Sequence, residues 1–296
     1  MTDNKLLNTI IGIRAVQYNS DIDYIHQIAK KIFPEFPIYI IVDCTNGKDL
    51  DEFPDYMNVI EMNDNLLELM GLYYKEKKIG WVAGDYAYYA CLKYGWDYMW
   101  LLEPDLFIGQ DAFEMLNSVQ NMNIDLIGTN IGIRSTNWPW TNRLRATTSF
   151  HTVSGVFFPI TRVSRRLALE SLKIRQEIST KIKDSELRRE VPNDESVIAT
   201  TCNWKRYSSI DLREKYPKLF TNFGWRKRFD KSLLQSGVVH PAHDTPIFIE
   251  KVIKEMNLVF QSSPVYSSFM QTSLKNKNNI LSAVFNLNTN NNLSDK

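Results

Sequence analysis

Two acidic residues, one position apart, interrupt a stretch that otherwise reads as a buried strand. In YMWLLEPDLFIG (Tyr98 to Gly109), Met99, Trp100, Leu101 and Leu102 lead into Glu103-Pro104-Asp105, and Leu106, Phe107 and Ile108 follow. Charged groups are costly to bury unless something compensates them. In an extended segment, residues two apart point to the same side. Glu103 and Asp105 would then repel each other and resist ionisation. A hard divalent cation removes that difficulty, because Mg²⁺ or Mn²⁺ prefers oxygen ligands and also takes substrate phosphate oxygens. Pro104 stiffens the backbone between the two acids. The competing reading is a strand end bent into solvent with both carboxylates hydrated. The apolar residues on either side favour the metal.

Five further groups bear on such a site. In SGVVHPAHD, His240 follows a strand-like run and precedes a proline, and His243 lies close behind. A neutral imidazole there could be the late metal ligand, although either histidine alone reads as a surface loop residue. In VPNDESVIATTCNW, Asn193, Asp194 and Glu195 come just after Pro192. Asp194 could simply cap the following helix, or it could be a general base at a cleft rim. In KIGWVAGDYAYYA, Gly80 and Gly84 flank Trp81 and precede Asp85. Glycines allow close backbone approach. Asp85 stands open between a helix cap and a ligand for ribose hydroxyls. In SGVFFPITRVSRR, Ser154 and Gly155 lead to Arg162, Arg165 and Arg166, which could bind phosphate oxygens but read more simply as a solvated face. WRKR (Trp225 to Arg228) could face an anionic membrane or an acceptor.

The elements that must hold these residues alternate. NTIIGIRAV is β-branched and reads as a buried strand. SDIDYIHQIAKKIF reads as a helix with Ser20 as N-cap and Ile22, Ile25, Ile28, Ala29 and Ile32 on one face. FPIYIIVDCTNG is a second strand ending at Asp43 and Gly47, and MNVIEM is a third. GWVAGDYAYYACLKYG reads as one helix stopped by Gly95, DYMWLLEPDLFI as one strand, QDAFEMLNSVQNM as a helix and IDLIGTNIGI as a strand. This alternation predicts an α/β fold, a single domain with a mostly parallel sheet covered by helices on both faces. Ligands of such sheets bind beyond the carboxyl ends of the strands, where Glu103 and Asp105 fall. Further on, HTVSGVFFPI reads as a strand, RVSRRLALESLKIRQEI as an amphipathic helix and KIKDSELRREVPND as a polar excursion. DESVIATTCNW reads as a short helix and QSGVVHPAHD as a strand ending in a polar loop.

The bulk composition narrows the class. The chain has 296 residues, 44% of them hydrophobic, and a net charge of +1, which does not suit a nucleic-acid coat. Three cysteines without a CxxC pair fit a reducing compartment. MTDNKLLNTIIGIRAVQ does not read as a signal peptide, and no apolar run approaches the ~20 residues needed to span a bilayer. A cytoplasmic protein is expected, with contact at the inner face of the membrane left open. The segment from Lys275 to Lys296 is rich in Asn and Ser and reads as a disordered tail. No GxGxxG follows the first strand, which disfavours a dinucleotide-dependent dehydrogenase.

Taken in order, the pieces resemble the nucleotide-sugar-dependent glycosyltransferases of the GT-A fold. In that family an α/β nucleotide-binding half is followed by an acidic DxD-type triplet at the end of a central strand. A Gly-containing segment comes next, then an acidic motif opening a helix, and finally a late metal-binding histidine. Here these are Glu103-Pro104-Asp105, Ser154-Gly155, Asn193-Asp194-Glu195 and His240. The match runs over about residues 8 to 245 of a GT-A-like domain placed at 1–274, with a donor half near 1–130 and an acceptor half near 131–250. The narrower pairing GWVAGDYAYY…WLLEPDLFI resembles bacterial surface-polysaccharide (capsule or lipopolysaccharide) enzymes. The resemblance implies that Asp105 binds a divalent metal, Mn or Mg, with Glu103 as its partner or at the ribose. It also implies His240 as late ligand, Asp43 near the nucleoside, and Asp85 and Gly155 at the donor. Asp194 or Glu195 would be the catalytic base if the reaction inverts. The implied partners are a nucleotide-sugar donor and a glycan or lipid-linked glycan acceptor. Two departures from the family pattern stand out: the triplet opens with Glu, and the later motif reads Asn-Asp-Glu. Two rivals remain. A sugar nucleotidyltransferase would carry a Gly-rich basic loop where this chain reads GIRAVQYNSDIDYIHQ, and a non-catalytic binding module would bind without turnover.

Overall fold

The β-branched run at the start of the chain forms the strand on which the sheet is built. The computed structural model describes residues 8–45, 50, 52–73, 79–183, 191–225 and 227–261. Gly47, the polar stretch 184–190 and the tail from Lys275 lie outside the described residues, as do the side chains of Gly80 and Trp81. In chain order the elements are β1 (Thr9–Ala15), α1 (Ser20–Ile32), β2 (Ile38–Asp43), β3 (Asn58–Met62), α2 (Asp64–Leu69), α3 (Ile79–Val82) and α4 (Tyr86–Ala90). Then come β4 (Tyr98–Leu102), β5 (Phe107–Ile108), α5 (Phe113–Gln120), β6 (Leu126–Ile133), α6 (Pro139–Thr147), β7 (Ser154–Ser164) and α7 (Arg165–Lys183). The rest are α8 (Asp194–Trp204), β8 (Ser209–Asp211), α9 (Leu212–Lys215), β9 (Phe229–Asp230), β10 (Val238–Val239), β11 (Ala242–His243) and α10 (Thr245–Gln261). The chain divides into two compact units, Met1–Thr245 and Pro246–Lys296. The first carries the sheet, and nearly all of α10 belongs to the second.

Seven strands form the main sheet in the order β3-β2-β1-β4-β7-β6-β8. All neighbours pair in parallel except β7, which runs antiparallel to both β4 and β6. The mostly parallel sheet is therefore as expected. Successive side chains of a strand point to opposite faces, and both faces are apolar. Ile10, Met99 and Leu101 pack on one side with Tyr86, Tyr89, Leu167 and Ile198 of α4, α7 and α8. Ile11, Ile13, Trp100 and Leu102 pack on the other with Ile22, Ile25, Ala29 and Leu116 of α1 and α5.

Three local expectations are corrected. Asn19, not Ser20, caps α1; its extended backbone lets the side chain accept from Ile22 N at 3.1 Å. The segment read as one helix up to Gly95 breaks into α3, α4 and a tight turn at Leu92–Tyr94, ended by Gly95 in the left-handed region at φ 69°. Gly84 falls in the gap between α3 and α4, and glycine weakens a helix interior. The segment read as one strand splits at Pro104, which has no N–H to extend the ladder. β4 stays in the main sheet, while β5 pairs antiparallel with β10. That split brings the chain after β10 back alongside the acidic triplet.

Candidate functional site

Because β5 pairs Phe107 with Val239, the next residues of the returning chain run past Leu106 and Asp105, and Ala242 N donates to Asp105 O at 2.7 Å. His240 consequently reaches both acids. Its Nε2 lies 3.2 Å from Glu103 Oε2 and 3.4 Å from Asp105 Oδ1. Glu103, Asp105 and His240 offer ligand atoms within 4.8 Å of one another. The imidazole is oriented from behind: its Nδ1 lies 2.7 Å from the carbonyl oxygen of Gly224, which can only accept. Nδ1 is therefore the donor to that carbonyl, which directs Nε2 toward the carboxylates, and Nε2 is the nitrogen through which a neutral imidazole would ligate a metal. Two carboxylates and one imidazole are a donor set that could hold a divalent cation, the carboxylates being the ligands that suit Mn²⁺ or Mg²⁺.

His243 is buried, not in an exposed loop. Its Nδ1 lies 2.8 Å from Asp21 Oδ2, and its Nε2 lies 4.0 Å from Asp105 Oδ2. Asp21 also accepts from Lys231 Nζ and Asp244 N, each at 2.8 Å. Burial alone would raise the Asp21 carboxyl, but the His243 and Lys231 hydrogen bonds hold it below its ordinary value. Asp21 opens α1 and His243 closes β11, 222 residues later. This buried chain of contacts stands directly behind Asp105.

A second acidic corner faces the first. Asn193, not Asp194, caps α8 by accepting from Ser196 N at 3.0 Å. Asp194 is thereby free to accept from Glu195 N at 2.8 Å and from Arg14 Nη1 at 3.0 Å. Arg14 also pairs with Glu103 through its other terminal nitrogen, so one guanidinium links the two corners. Gly84 makes room for it: a Cβ there would overlap Arg14 and come within 2.5 Å of Asp194 Oδ2. Burial raises the Asp194 carboxyl from 3.8 to about 6 against the pull of Arg14. Burial and the neighbouring Asp194 raise Glu195 from 4.5 to about 7. Glu195 accepts from the Asn193 amide at 3.0 Å and stays partly exposed on the cleft wall.

The remaining expected residues divide. Gly155 packs against the wall, where a Cβ would come within 2.9 Å of the Trp138 ring and overlap Arg134. Asp43 is buried at the end of β2 and accepts from Thr45 N at 3.1 Å and Thr45 Oγ1 at 2.6 Å; it is not among the described residues lining the cleft. Asp85, expected at the donor, is fully buried away from the cleft wall with its oxygens 2.8 Å from Arg175 Nε and Nη2. Arg162, weighed as a phosphate ligand, is buried over the Tyr98 ring and donates to the carbonyls of Gln120, Met122 and Ile124. Arg166 pairs with Asp125, with Nη2 2.6 Å from Oδ2. Burial pushes the Arg162 guanidinium down to about 10.

The two corners open onto one cleft of about 1010 Å³, whose lining also includes Arg134, Trp138, Arg213, Trp225, Lys227 and Arg228. Sequence reasoning missed Arg14, Arg134 and Arg213. Arg14 did leave a signal, a lone charge in the otherwise apolar run TIIGIRAV. Among the described residues, no helix is long and apolar enough to cross a membrane.

No protein-family model matches the sequence, and no curated protein matches it. Solved structures give more remote likenesses. The galactosyltransferase LgtC, in complex with donor and acceptor sugar analogues, is 11% identical with a TM-score of 0.38, over 80% of this chain and 87% of its own. The glucosyl-3-phosphoglycerate synthase of Mycobacterium tuberculosis, in complex with Mn²⁺, uridine diphosphate and phosphoglyceric acid, is 12% identical at 0.33, over 64% and 67%. A glycosyltransferase involved in glycosylating the major capsid of PBCV-1 is 10% identical at 0.32, over 81% and 98%. Each activity named is that protein's own.

Proposed function

We propose that this chain is a metal-dependent glycosyltransferase of the GT-A kind. It would move a hexosyl group from a nucleotide-sugar donor to a glycan acceptor in the cytoplasm, in the assembly of a bacterial surface polysaccharide. The observation that carries this reading is the convergence of Glu103, Asp105 and His240 at the carboxyl end of β4, with His240 Nε2 turned toward both acids. Those three residues would hold the metal, which when bound offsets the charge growing on the departing diphosphate.

The second corner supplies the base. Asp194 has its oxygens on Arg14 and on the Glu195 N–H, whereas Glu195 lies at the cleft with one amide partner. Glu195 therefore takes the proton from the acceptor hydroxyl, and Asp194 holds Arg14. The hydroxyl oxygen bonds to the anomeric carbon, the bond from that carbon to the diphosphate oxygen breaks, and its electron pair leaves with the diphosphate. A base raised to about 7 is matched to that task near neutral pH.

The test is a thermal-shift panel of nucleotide sugars with and without Mn²⁺. One donor should raise the melting temperature only when Mn²⁺ is present, by about 2.7 kcal/mol of stabilisation at a hundredfold excess over Kd. Glycan-dependent release of the nucleoside diphosphate then separates transfer from binding alone. If no donor shifts the melting temperature, the reading is wrong.

A further inference from the structure

Two sets of cations line the cleft, and they belong to different corners. Arg228 lies with the metal corner, its Nη1 3.5 Å from His243 Nε2. Arg134 belongs with the base corner, where its positive charge acts on Glu195, and Arg213 is tied to Arg134 through a shared neighbour. One residue organises both guanidiniums. Arg134 donates to the Asn130 carbonyl, and Arg213 Nη1 donates to Asn130 Oδ1 at 3.3 Å. Asn130 has φ 52°, a left-handed conformation uncommon outside glycine and concentrated at functional sites. The β6–β7 register shifts between Thr129 and Gly132, a bulge of the kind that re-aims side chains beside active sites.

The wall is built from both sides. Asp211 Oδ2 accepts from Ile131 N at 2.6 Å, and its Oδ1 accepts from Arg213 N at 2.8 Å, tying the end of β6 to the start of α9. A second cavity of about 370 Å³ adjoins the cleft and shares Asn130, Arg134 and Arg213 with it. Arg134 also sits 5.4 Å from the Trp138 ring, and Gly155 leaves the room for both. A planar indole beside paired guanidiniums offers an apolar face for a sugar ring and forks for a carboxylate or phosphate.

We infer that Asn130, Arg134, Trp138 and Arg213 form the acceptor subsite, and that the acceptor is an anionic saccharide, carrying a carboxylate or a phosphate. This rests on the glycosyltransferase reading for the word acceptor: the hydroxyl that loses its proton must reach Glu195, so the sugar bearing it lies on the Arg134 side. The donor diphosphate belongs to the metal corner and leaves the Arg134 and Arg213 guanidiniums for another anion.

The test titrates three saccharides against the full chain by ligand-observed NMR: a glucuronate-containing tetrasaccharide, a 6-phosphorylated maltotetraose and neutral maltotetraose. At least one charged saccharide should bind about tenfold more tightly than the neutral one, and the tighter of the two identifies carboxylate or phosphate. Arg213 is exposed, so Arg213→Gln should keep the fold. That variant should remove most of the preference while uridine, guanosine and cytidine diphosphates with Mn²⁺ bind within about twofold of wild type. Equal binding of all three saccharides, or none, overturns the inference. So does a preference that survives Arg213→Gln while nucleoside diphosphate binding falls. If no nucleoside diphosphate binds wild type with Mn²⁺ but the charge preference stands, the donor reading fails and the anionic subsite holds.

Discussion

Two arginines in this molecule, Arg175 and Arg14, each meet an aspartate, and they do opposite work. Arg175 and Asp85 are both fully buried and joined by two contacts of 2.8 Å. Tyr89 adds a third hydrogen bond to Asp85, and the remaining nitrogen of Arg175 donates to Pro192 O at 2.7 Å. Every bond in this pair points inward, and the last one braces the loop that leads to the base corner. Arg14, 14% exposed, is instead shared between Glu103 and Asp194, which come from different elements on the cleft wall. A closed, satisfied pair holds the fold. A guanidinium divided between two acids at a cleft couples the two corners that the proposed reaction would use.

The sharpest break in that contrast is expected at the metal corner. Asp105→Ala should cut transfer by more than about 10³-fold and abolish Mn²⁺ binding measured by calorimetry, with little change in melting temperature. Asp85→Ala should do the reverse. It strands the Arg175 charge in the interior and should cost about 3–5 kcal/mol in chemical denaturation.

Glu195→Gln should lower kcat at least about 10²-fold, and the wild-type rate should rise with pH through about 7. The same substitution carries a stability signature. The Glu195 pKa is raised in the fold from 4.5 to about 7, so its stabilising contribution is fully present below 4.5 and lost as pH rises through 7. Glu195→Gln should therefore melt above wild type at pH 8, by about 1–3 kcal/mol, and match it near pH 4.5. The smallest effect is expected from Arg14→Lys, which keeps the charge but cannot reach both acids with a rigid fork. A loss of about tenfold in kcat/KM, with the melting temperature nearly unchanged, would fit a coupling role. A loss of stability as large as that of Asp85→Ala would place Arg14 with the structural pair instead.

What could be read from residues alone follows a physical line. β1 and β4 were legible because YMWLL, and TIIGIRA apart from Arg14, are β-branched or apolar. The acidic triplet was legible because charge at the end of such a strand needs a partner. The contacts that orient those groups were not, since they depend on chain returns. The Gly224 carbonyl behind His240, the Asp21 carboxylate behind His243 and the Asn130 anchor behind Arg213 are far from their partners in sequence. The choice between Asn193 and Asp194 as helix cap was likewise invisible, because either side chain can cap and the helix start falls at Asp194, one residue past the cap.

The place of β7 in the sheet has a consequence for how the protein is made. Its eleven residues lie between β4 and β6, so the order β3-β2-β1-β4 meets β6-β8 only through this late, antiparallel strand. During synthesis the parallel quartet emerges first and carries an open edge on β4 until residue 164 has left the ribosome. Pairings separated by so much chain close slowly, and an uncovered apolar edge invites association with other chains. Residues 154–164 thus act as the closing seam of the fold, and overproduction yield should respond to changes there more sharply than to changes in β3 or β8 at the rims.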